Sequence, residues 1–436
     1  MTHTQSEDNM TSGWKTVKLG ELITIKHGFA FKGEYITTED NGIVLVTPGN
    51  FAIGGGFQEG KKFFNGEYPS DYVLRPGELI VTMTDLSKDG DTLGYSALVP
   101  ETNRTYLHNQ RIGLIEVHSN EISKDYLYWF MRTRAYQKQV VATASGSTVR
   151  HTSPSRICEI EIPLPPLDVQ RRIAAVLKPL DDKIEINARI NARLERAAQV
   201  LFKRHFVRFE PYGGTMPPGW RVGTLSEIAE FVGGYSYKSS ELKESNTAMA
   251  TIKNFDRKGG FKLDGFKELV PSAKIKQSQY AELFDTFVAH TDLTQNAEVV
   301  GNAEMLMSKA GYERIAFSMD LVKVVPKTPD ISKFTIAALL RNSRFKAHCL
   351  HYVNGTTVLH LNKKALPEYK IALPDDLSEL KQFDELITRI YKMIAYNTDE
   401  SRTLARLRDV LLPRLMSGAV DVRLVRLNTM QEGGSR

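Results

Sequence analysis

Cysteine is nearly missing from this chain: Cys158 and Cys349 are the only two in 436 residues. Such sparse use argues against a disulfide framework and fits a reducing cytoplasm, where the protein is expected to reside. Long apolar runs are missing too. None approaches the roughly 18 residues that a membrane-spanning helix needs, so no membrane partner is expected. Residues 1–12 are polar and carry no apolar stretch of signal-peptide type. They are read as a disordered tail, and 425–436 as a second tail.

The residues that catalysis on nucleic acids needs are also scarce. Gly55 to Lys61 gives Gly-x4-Gly-Lys, but Lys62 stands where a phosphate loop needs Ser or Thr to hold magnesium. A turn-rich loop between strands is expected there instead. There is no Asn-Pro-Pro-aromatic or Asp-Pro-Pro-aromatic motif of amino-methyltransferase type, and no convincing nuclease carboxylate cluster with a paired lysine. His348-Cys349-x-His351 has metal-ligand residue types, but on helical spacing unlike the paired knuckles of a zinc site. No catalytic site, bound metal or cofactor is expected in this chain.

What the chain does have is ordinary in amount: 42% hydrophobic and 25% charged residues, net charge +6 and a pI near 9.0. Mild basicity is compatible with nucleic acid without requiring it. The length suits two to three domains.

The order of the residues says more, because the chain is written twice. Gly13-Trp14-Lys15 returns as Gly219-Trp220-Arg221, and Gly28-Phe29-Ala30-Phe31-Lys32 as Gly234-Tyr235-Ser236-Tyr237-Lys238. Asn50-Phe51 meets Asn254-Phe255, and Thr84-Asp85-Leu86 meets Thr291-Asp292-Leu293. Gly146-Ser147-Thr148-Val149 meets Gly355-Thr356-Thr357-Val358, with His151 meeting His360. So long a period excludes a solenoid and marks a duplicated domain. Ile43-Val44-Leu45-Val46, Leu79-Ile80-Val81 and Ile112-Gly113-Leu114-Ile115 read as short strands, and Asp125 to Val141 as a helix with a counterpart around Phe334 to Leu350. Each copy is therefore expected to be a mixed α/β domain.

A long helix follows each copy. Ile173, Leu177, Leu180, Ile184, Asn187, Asn191, Leu194, Ala198 and Leu201 alternate spacings of four and three, the a/d seam of a coiled coil. Phe383, Ile387, Ile390, Ile394, Asn397, Ser401, Leu404, Arg408 and Leu411 repeat it. Two such helices pair most simply antiparallel, about a pseudo-twofold axis, with the domains at opposite ends. Pro179 is expected to bend or interrupt the first helix, and Pro413 to stop the second before Ser417-Gly418. Asn187 and Asn397 either fix the register or are tolerated facing solvent. The expected boundaries are 13–165 and 219–374 for the domains, 166–208 and 375–424 for the helices, and 209–218 for a linker.

Ile162-Pro163-Leu164-Pro165-Pro166-Leu167-Asp168-Val169-Gln170-Arg171-Arg172-Ile173 resembles the junction before the central helix of type I restriction–modification specificity subunits. Leu180-Asp181-Asp182-Lys183-Ile184 and Leu411-Leu412-Pro413-Arg414-Leu415-Met416-Ser417-Gly418 resemble that family's helical regions, and the likeness covers 13–422. One departure is local: the Arg75-Pro76-Gly77-Glu78 turn has Glu282-Leu283-Phe284-Asp285 in its place in the second copy. The resemblance implies two target-recognition domains, each reading one half of a split, asymmetric DNA sequence. It implies helices that act as a ruler for the unread spacer and dock two methyltransferase subunits. Those partners bind S-adenosylmethionine and methylate adenine, and motor–nuclease subunits using ATP and magnesium cleave unmodified DNA.

Base readers belong where the two copies diverge, since shared residues are scaffold or backbone-positioning groups. The candidates in the first copy are Lys26, His27, Phe29, Lys32, Asn50, Lys61, Lys62, Lys88, Arg104, Thr148, Arg150 and His151. In the second they are Tyr235, Tyr237, Lys238, Lys253, Asn254, Arg257, Lys258, Thr357 and His360. Basic and amide side chains of these types can reach phosphates or base edges. Phe29, Phe31, Tyr235 and Tyr237 fit half-buried packing better than base stacking. Thr84-Asp85 and Thr291-Asp292 fit turns or caps better than DNA contacts. The first helix is rich in Arg and Lys, including Arg171, Arg172, Lys178, Arg189 and Arg204, which suits either a solvated flank or a border with DNA or partner. Two rival readings are a protein-organising scaffold without DNA readout and an enzyme with an unrecognised site.

Overall fold

The computed structural model describes residues 13–87, 89–257 and 259–425. The chain forms two compact units, Met1–Asp182 with Leu404–Arg436, and Lys183–Thr403. The division falls inside both long helices, so each unit combines one globular copy with a segment of each helix.

In the first unit, Lys15–Lys18 pairs antiparallel with Glu161–Leu164, tying the start of the copy to its end. An antiparallel sheet has the order Ile23–His27, Ile112–Val117, Leu79–Thr82, Ser96–Leu98. A second sheet is built around Ile43–Val46 and Thr105–His108, which run parallel. The buried β-branched and aliphatic runs form the strands covered on both faces, as their composition dictates.

The helix expected over 125–141 is two helices, Lys124–Phe130 and Arg134–Ala142. Periodicity alone could not show the break. The first helix ends at Phe130, with Met131 as its C-cap, and Thr133 caps the second, its hydroxyl accepting from the Tyr136 N–H at 3.3 Å. Arg132, between them, turns inward and is buried.

The second unit repeats this order with Ala229–Gly233, Leu321–Pro326, Thr286–Ala289 and Ala303–Met305. Its parallel pair is Thr247–Ala250 with Arg314–Phe317. The helix pair recurs as Lys333–Leu340 and Ser343–Leu350, with Asn342 as the cap between them. Even the turn that differs in sequence is the same turn. Glu78 accepts from the Arg75 N–H at 2.8 Å, and Asp285 from the Glu282 N–H at 2.9 Å. Gly77 takes φ +77° in the first, and Phe284 takes φ +71° in the second. The Phe284 ring packs 4.8 Å from Phe334, and that contact offsets the cost of a left-handed, non-glycine residue. The fold is thus two mixed α/β domains, each followed by a long helix.

Leu167–Phe206 and Lys381–Met416 each run through their proline without interruption, and the second stops at Met416, before Ser417-Gly418 as expected. Each proline removes one intrahelical hydrogen bond, and packing next to it makes up the loss. Ile173 and Leu177 are buried in the first unit's core, as are Leu412, Leu415 and Met416. Every seam residue is buried or half-buried. In the second unit Asn187 donates to Ser401 Oγ at 3.2 Å, and Asn191 accepts from Asn397 at 2.9 Å. Rising numbers on one helix meet falling numbers on the other, so the pairing is antiparallel. In the first unit Asp181 meets Arg408 at 2.7 Å in the same sense.

Asn187 is fully buried, which excludes the solvent-facing alternative. Its Nδ2 donates to Glu400 at 2.7 Å, while its Oδ1 has no partner among the described residues. A buried acceptor left unpaired costs about 1–3 kcal/mol. Asn187→Leu is therefore expected to raise stability by about 1 kcal/mol, read as a higher urea midpoint at unchanged slope. An unchanged or lower midpoint would show that Asn187 stabilises the pair rather than only setting its register.

Candidate nucleic-acid interface

Four loops interlock at one edge of the sheets in the first unit. A lead-in loop follows strand Ile23–His27, and a hub loop joins Thr105–His108 to Ile112–Val117. Phe29 N–H donates to His108 O at 2.8 Å, and Gln110 N–H donates to Phe29 O at 2.9 Å. A shoulder loop, 83–93, joins the hub through Met83 N–H to Arg111 O at 2.9 Å. A tip, 145–151, then pairs with the shoulder, His151 opposite Thr84 and Arg150 opposite Asp85.

The second unit builds the same four loops. Tyr235 N–H donates to Phe317 O at 2.7 Å, Met319 N–H to Tyr235 O at 3.1 Å, and His290 N–H to Asp320 O at 2.7 Å. Thr291 stands opposite His360.

The repeated residues explain this construction. A Cβ on Gly28 would lie 2.1 Å from Asn109 O, and one on Gly234 would lie 2.0 Å from Ser318 O. Only glycine lets the lead-in loop approach the hub so closely. Asp85 holds the shoulder, accepting from Ser87 N–H at 2.6 Å and Thr92 Oγ1 at 2.6 Å. Asp292 accepts from Thr294 N–H at 2.8 Å and Val299 N–H at 2.6 Å. Burial opposes the charge of both carboxylates, but these donors hold both below the usual carboxylate range. Thr84-Asp85 and Thr291-Asp292 are loop staples. They leave Leu86 and Leu293 standing out, 67% and 68% exposed.

His27, Phe29, Thr148, Arg150 and His151 all lie on this four-loop edge in the first unit, with Lys26 just inside it. Lys26 Nζ sits 5.1 Å from the centroid of the Tyr72 ring. Lys88 falls in the shoulder but outside the described residues, as does Lys258 in the second copy. Tyr235, Thr357 and His360 lie on the matching edge of the second unit.

The other candidates lie elsewhere. Arg104 precedes Thr105–His108, at the far end of that strand from the hub, and pairs with Asp40 at 2.7 Å. Lys32, Lys61 and Lys62 are exposed around the second sheet, and Lys238 and Lys253 are exposed in the second unit. Tyr237 is half-buried beside Lys267, and Arg257 pairs with Glu298 at 3.1 Å.

Three candidates need correction. Asn50 and Asn254 are completely buried, with no side-chain surface for a base. Asn50 accepts from Thr47 N–H at 2.9 Å, and Asn254 accepts from Thr251 N–H at 2.8 Å and donates to Lys262 O at 2.7 Å. They knit the glycine-rich loop that follows, which in the first copy leads into strand Phe63–Phe64 and not into a helix, unlike a phosphate loop. Tyr235 is buried, and its hydroxyl donates to Glu241 at 2.6 Å.

The hub brings forward two residues that the sequence reading passed over, Gln110 and Arg111, both exposed. The amide-and-basic run His108-Asn109-Gln110-Arg111 before a strand was the signal for them. Their counterparts, Met319 and Asp320, differ in chemistry on the same backbone. Met83 likewise has His290 as its counterpart in the repeat, and Arg150 has Leu359.

On the helices, Lys178 pairs with Asp182 at 2.7 Å, Arg204 with Glu210 at 2.6 Å, and Arg189 with Glu185. Those charges are held along the helix flank.

His348 Nε2 lies 2.8 Å from Ala365 O. Burial pushes the Cys349 thiol up to about 12. Native protein at neutral pH should therefore leave Cys349 unmodified by iodoacetamide, with half-exposed Cys158 reacting first. Peptide mass mapping checks this, and rapid native labelling of Cys349 would refute its burial. Among the described residues no helix is long and apolar enough to cross a membrane.

The family model described as type I restriction modification DNA specificity domain matches residues 11–196 and again 217–405. The chain belongs to that family. The two matches follow the two copies that the sequence repeat and the paired four-loop edges had separated. The specificity chain is 24% identical over 324 residues to the type I restriction enzyme MjaIX specificity subunit of Methanocaldococcus jannaschii, covering 69% of this chain and 70% of that protein. It is 23% identical over 404 residues to the HindI specificity subunit of Haemophilus influenzae, covering 76% and 87%. In fold it is similar to the crystal structure of the type I restriction–modification S subunit from M. genitalium. The TM-score is 0.60 at 16% identity, covering 92% of this chain and 96% of that one.

Proposed function

We propose that this specificity chain recognises a bipartite, asymmetric sequence in double-stranded DNA, one half-site per domain, and directs partner subunits to it. Two methyltransferase subunits carrying S-adenosylmethionine would methylate adenine, and motor–nuclease subunits using ATP and magnesium would cut unmodified DNA. The chain itself would carry no catalytic site and would work in the cytoplasm. One observation carries this reading: the same four-loop edge is built twice and presents different side chains. A shared frame with Gln110-Arg111 in one copy and Met319-Asp320 in the other suits two half-sites of different sequence.

Partner docking has its own support. Ile186 and Ile190 on the first helix are 49% and 38% exposed, and Leu386 and Met393 on the second are 45% and 50% exposed. Apolar side chains outside a paired seam suit a protein partner better than solvent.

The test is a modified-base map of cells expressing this chain with its methyltransferase partner, and of cells lacking the chain. A split, asymmetric methyladenine motif that vanishes with the chain is expected. Unchanged methylation, with both proteins present and associated, would favour the scaffold reading. Binding of the complex to a motif-bearing duplex is expected to weaken about 10³-fold or more between 50 and 200 mM salt, since phosphate contacts release counterions. A flat response in a filter-binding or anisotropy titration would count against DNA reading.

A further inference from the structure

The tips at 146–149 and 355–358 are repeated parts of the two units that packing does not explain. Thr148 and Thr357 are exposed in their respective units. Their hydroxyls have no hydrogen-bond partner among the described residues. Nor do the N–H groups of Ser147, Thr148 and Val149, or of Thr356, Thr357 and Val358. Repetition at a core position follows from the shape of the core. At an exposed position with free donors it needs another cause.

The tips are also pre-shaped. Gly146 takes φ +92°, and a Cβ there would lie 2.0 Å from Val149 O. Gly355 takes φ +113°, with Val358 O at 2.2 Å. Both turns therefore require glycine, which fixes the backbone carrying these exposed donors before any ligand arrives. A histidine stands two residues after each of these four-residue turns. His151 uses Nδ1 against Thr84 Oγ1 at 3.1 Å, and His360 is exposed at the matching place.

Two domains that read different bases still share one ligand, the phosphodiester backbone. Neutral hydroxyl and main-chain N–H donors are well suited to it, and they carry no base information. We propose that the two tips are phosphate grips, one per half-site. Thr148 and Thr357, with the neighbouring N–H groups, would bind backbone oxygens of duplex DNA whatever the sequence. This assignment rests on the reading of the chain as a DNA-specificity subunit. It separates Thr148 and Thr357 from the groups that distinguish bases, which lie where the two copies differ.

The test uses the full chain in complex with its methyltransferase partner. Thr148→Glu and Thr357→Glu, singly and together, are compared with Thr148→Ser. The probes are a duplex carrying the motif mapped for the wild type and a scrambled duplex of equal length. Each glutamate would face a phosphate and should weaken binding to both duplexes by the same factor, about tenfold, with Thr148→Ser close to wild type. The ratio between the duplexes, and the methylated motif in cells, should stay unchanged. A changed motif, or a loss confined to the specific duplex, would make the tip a base reader and overturn the assignment. Unchanged affinity for both duplexes would also overturn it. If the wild-type complex itself showed no split motif, the DNA-specificity reading would fall first, a result distinct from either of these.

Discussion

Replacing Arg341 with methionine is expected to destabilise the second unit by about 3–5 kcal/mol, the usual cost of removing one member of a buried ion pair. Arg341 lies between Glu304, at 3.0 Å, and Glu195, at 2.9 Å, with side-chain exposures of 10%, 7% and 30%. Its guanidinium also sits 5.2 Å from the centroid of the Tyr391 ring. Burial opposes the charge on Arg341, yet Glu304 and Glu195 hold its pKa well above the ordinary guanidinium value. Burial pushes Glu304 up, while Arg341 and the Gly260 N–H oppose that rise. Once the arginine is gone, Glu304 is a buried carboxylate with one main-chain donor. Its folded pKa then stands still further above its unfolded value.

The sign of the pH dependence follows. Between the unfolded and folded values the native state binds more protons, so stability falls as pH rises through that window. The defect of Arg341→Met should therefore be smaller near pH 5 than near pH 8. Glu304→Gln in the same chain should recover part of the loss, because an amide carbonyl can still accept from Gly260. Urea unfolding at the two pH values checks both statements. A defect independent of pH, with no recovery in the double variant, would mean that Arg341 acts by packing alone.

Arg341 also shows what the sequence made legible and what it did not. The duplication, the seam and the strand runs were readable because each is a pattern of residue types at fixed spacing, and burial enforces such patterns. Ile43–Val46 was read at its observed bounds, and all eighteen seam positions proved buried or half-buried. Arg341 and its counterpart Arg132 carry no such pattern. Each follows a short helix and looks like an ordinary surface cation. In the structure Arg132 pairs with Asp181 at 2.5 Å, donates to Gly54 O at 3.0 Å, and lies 4.6 Å from the Trp129 ring centroid. Each arginine ties its domain to a helix segment of its own unit, and that role exists only once tertiary contacts form. Asn50 and Asn254 misled for the opposite reason. An amide repeated in a loop suits base reading, but it equally suits a buried clamp on the loop's own backbone, and here the clamp won. The hub was missed because its importance lies in which loops it touches.

Gly28→Ala should show how much the four-loop edge matters. The added Cβ would lie 2.1 Å from Asn109 O and 2.5 Å from His108 O, both main-chain atoms that no rotamer change can move. The lead-in loop must then part from the hub, losing the bonds Phe29 N–H to His108 O and Gln110 N–H to Phe29 O. Two such bonds at about 1 kcal/mol each, with residual overpacking, put the local loss near 2–3 kcal/mol. If the half-site is bound only by the intact edge, affinity for a motif-bearing duplex should fall roughly 30- to 150-fold. The core and the helix pair lie apart from the change, so assembly with the methyltransferase should persist. Gly33→Ala is the matched control, for a Cβ there meets nothing within 4 Å. In the second unit Gly234→Ala, with Ser318 O at 2.0 Å, should repeat the effect, and Gly233→Ala, with open space, should not. Anisotropy titrations on all four variants decide the matter. Loss in Gly28→Ala and Gly234→Ala alone would place DNA binding on this edge in both copies. Equal behaviour of all four would move the interface elsewhere, and the loops would then be joined for stability only.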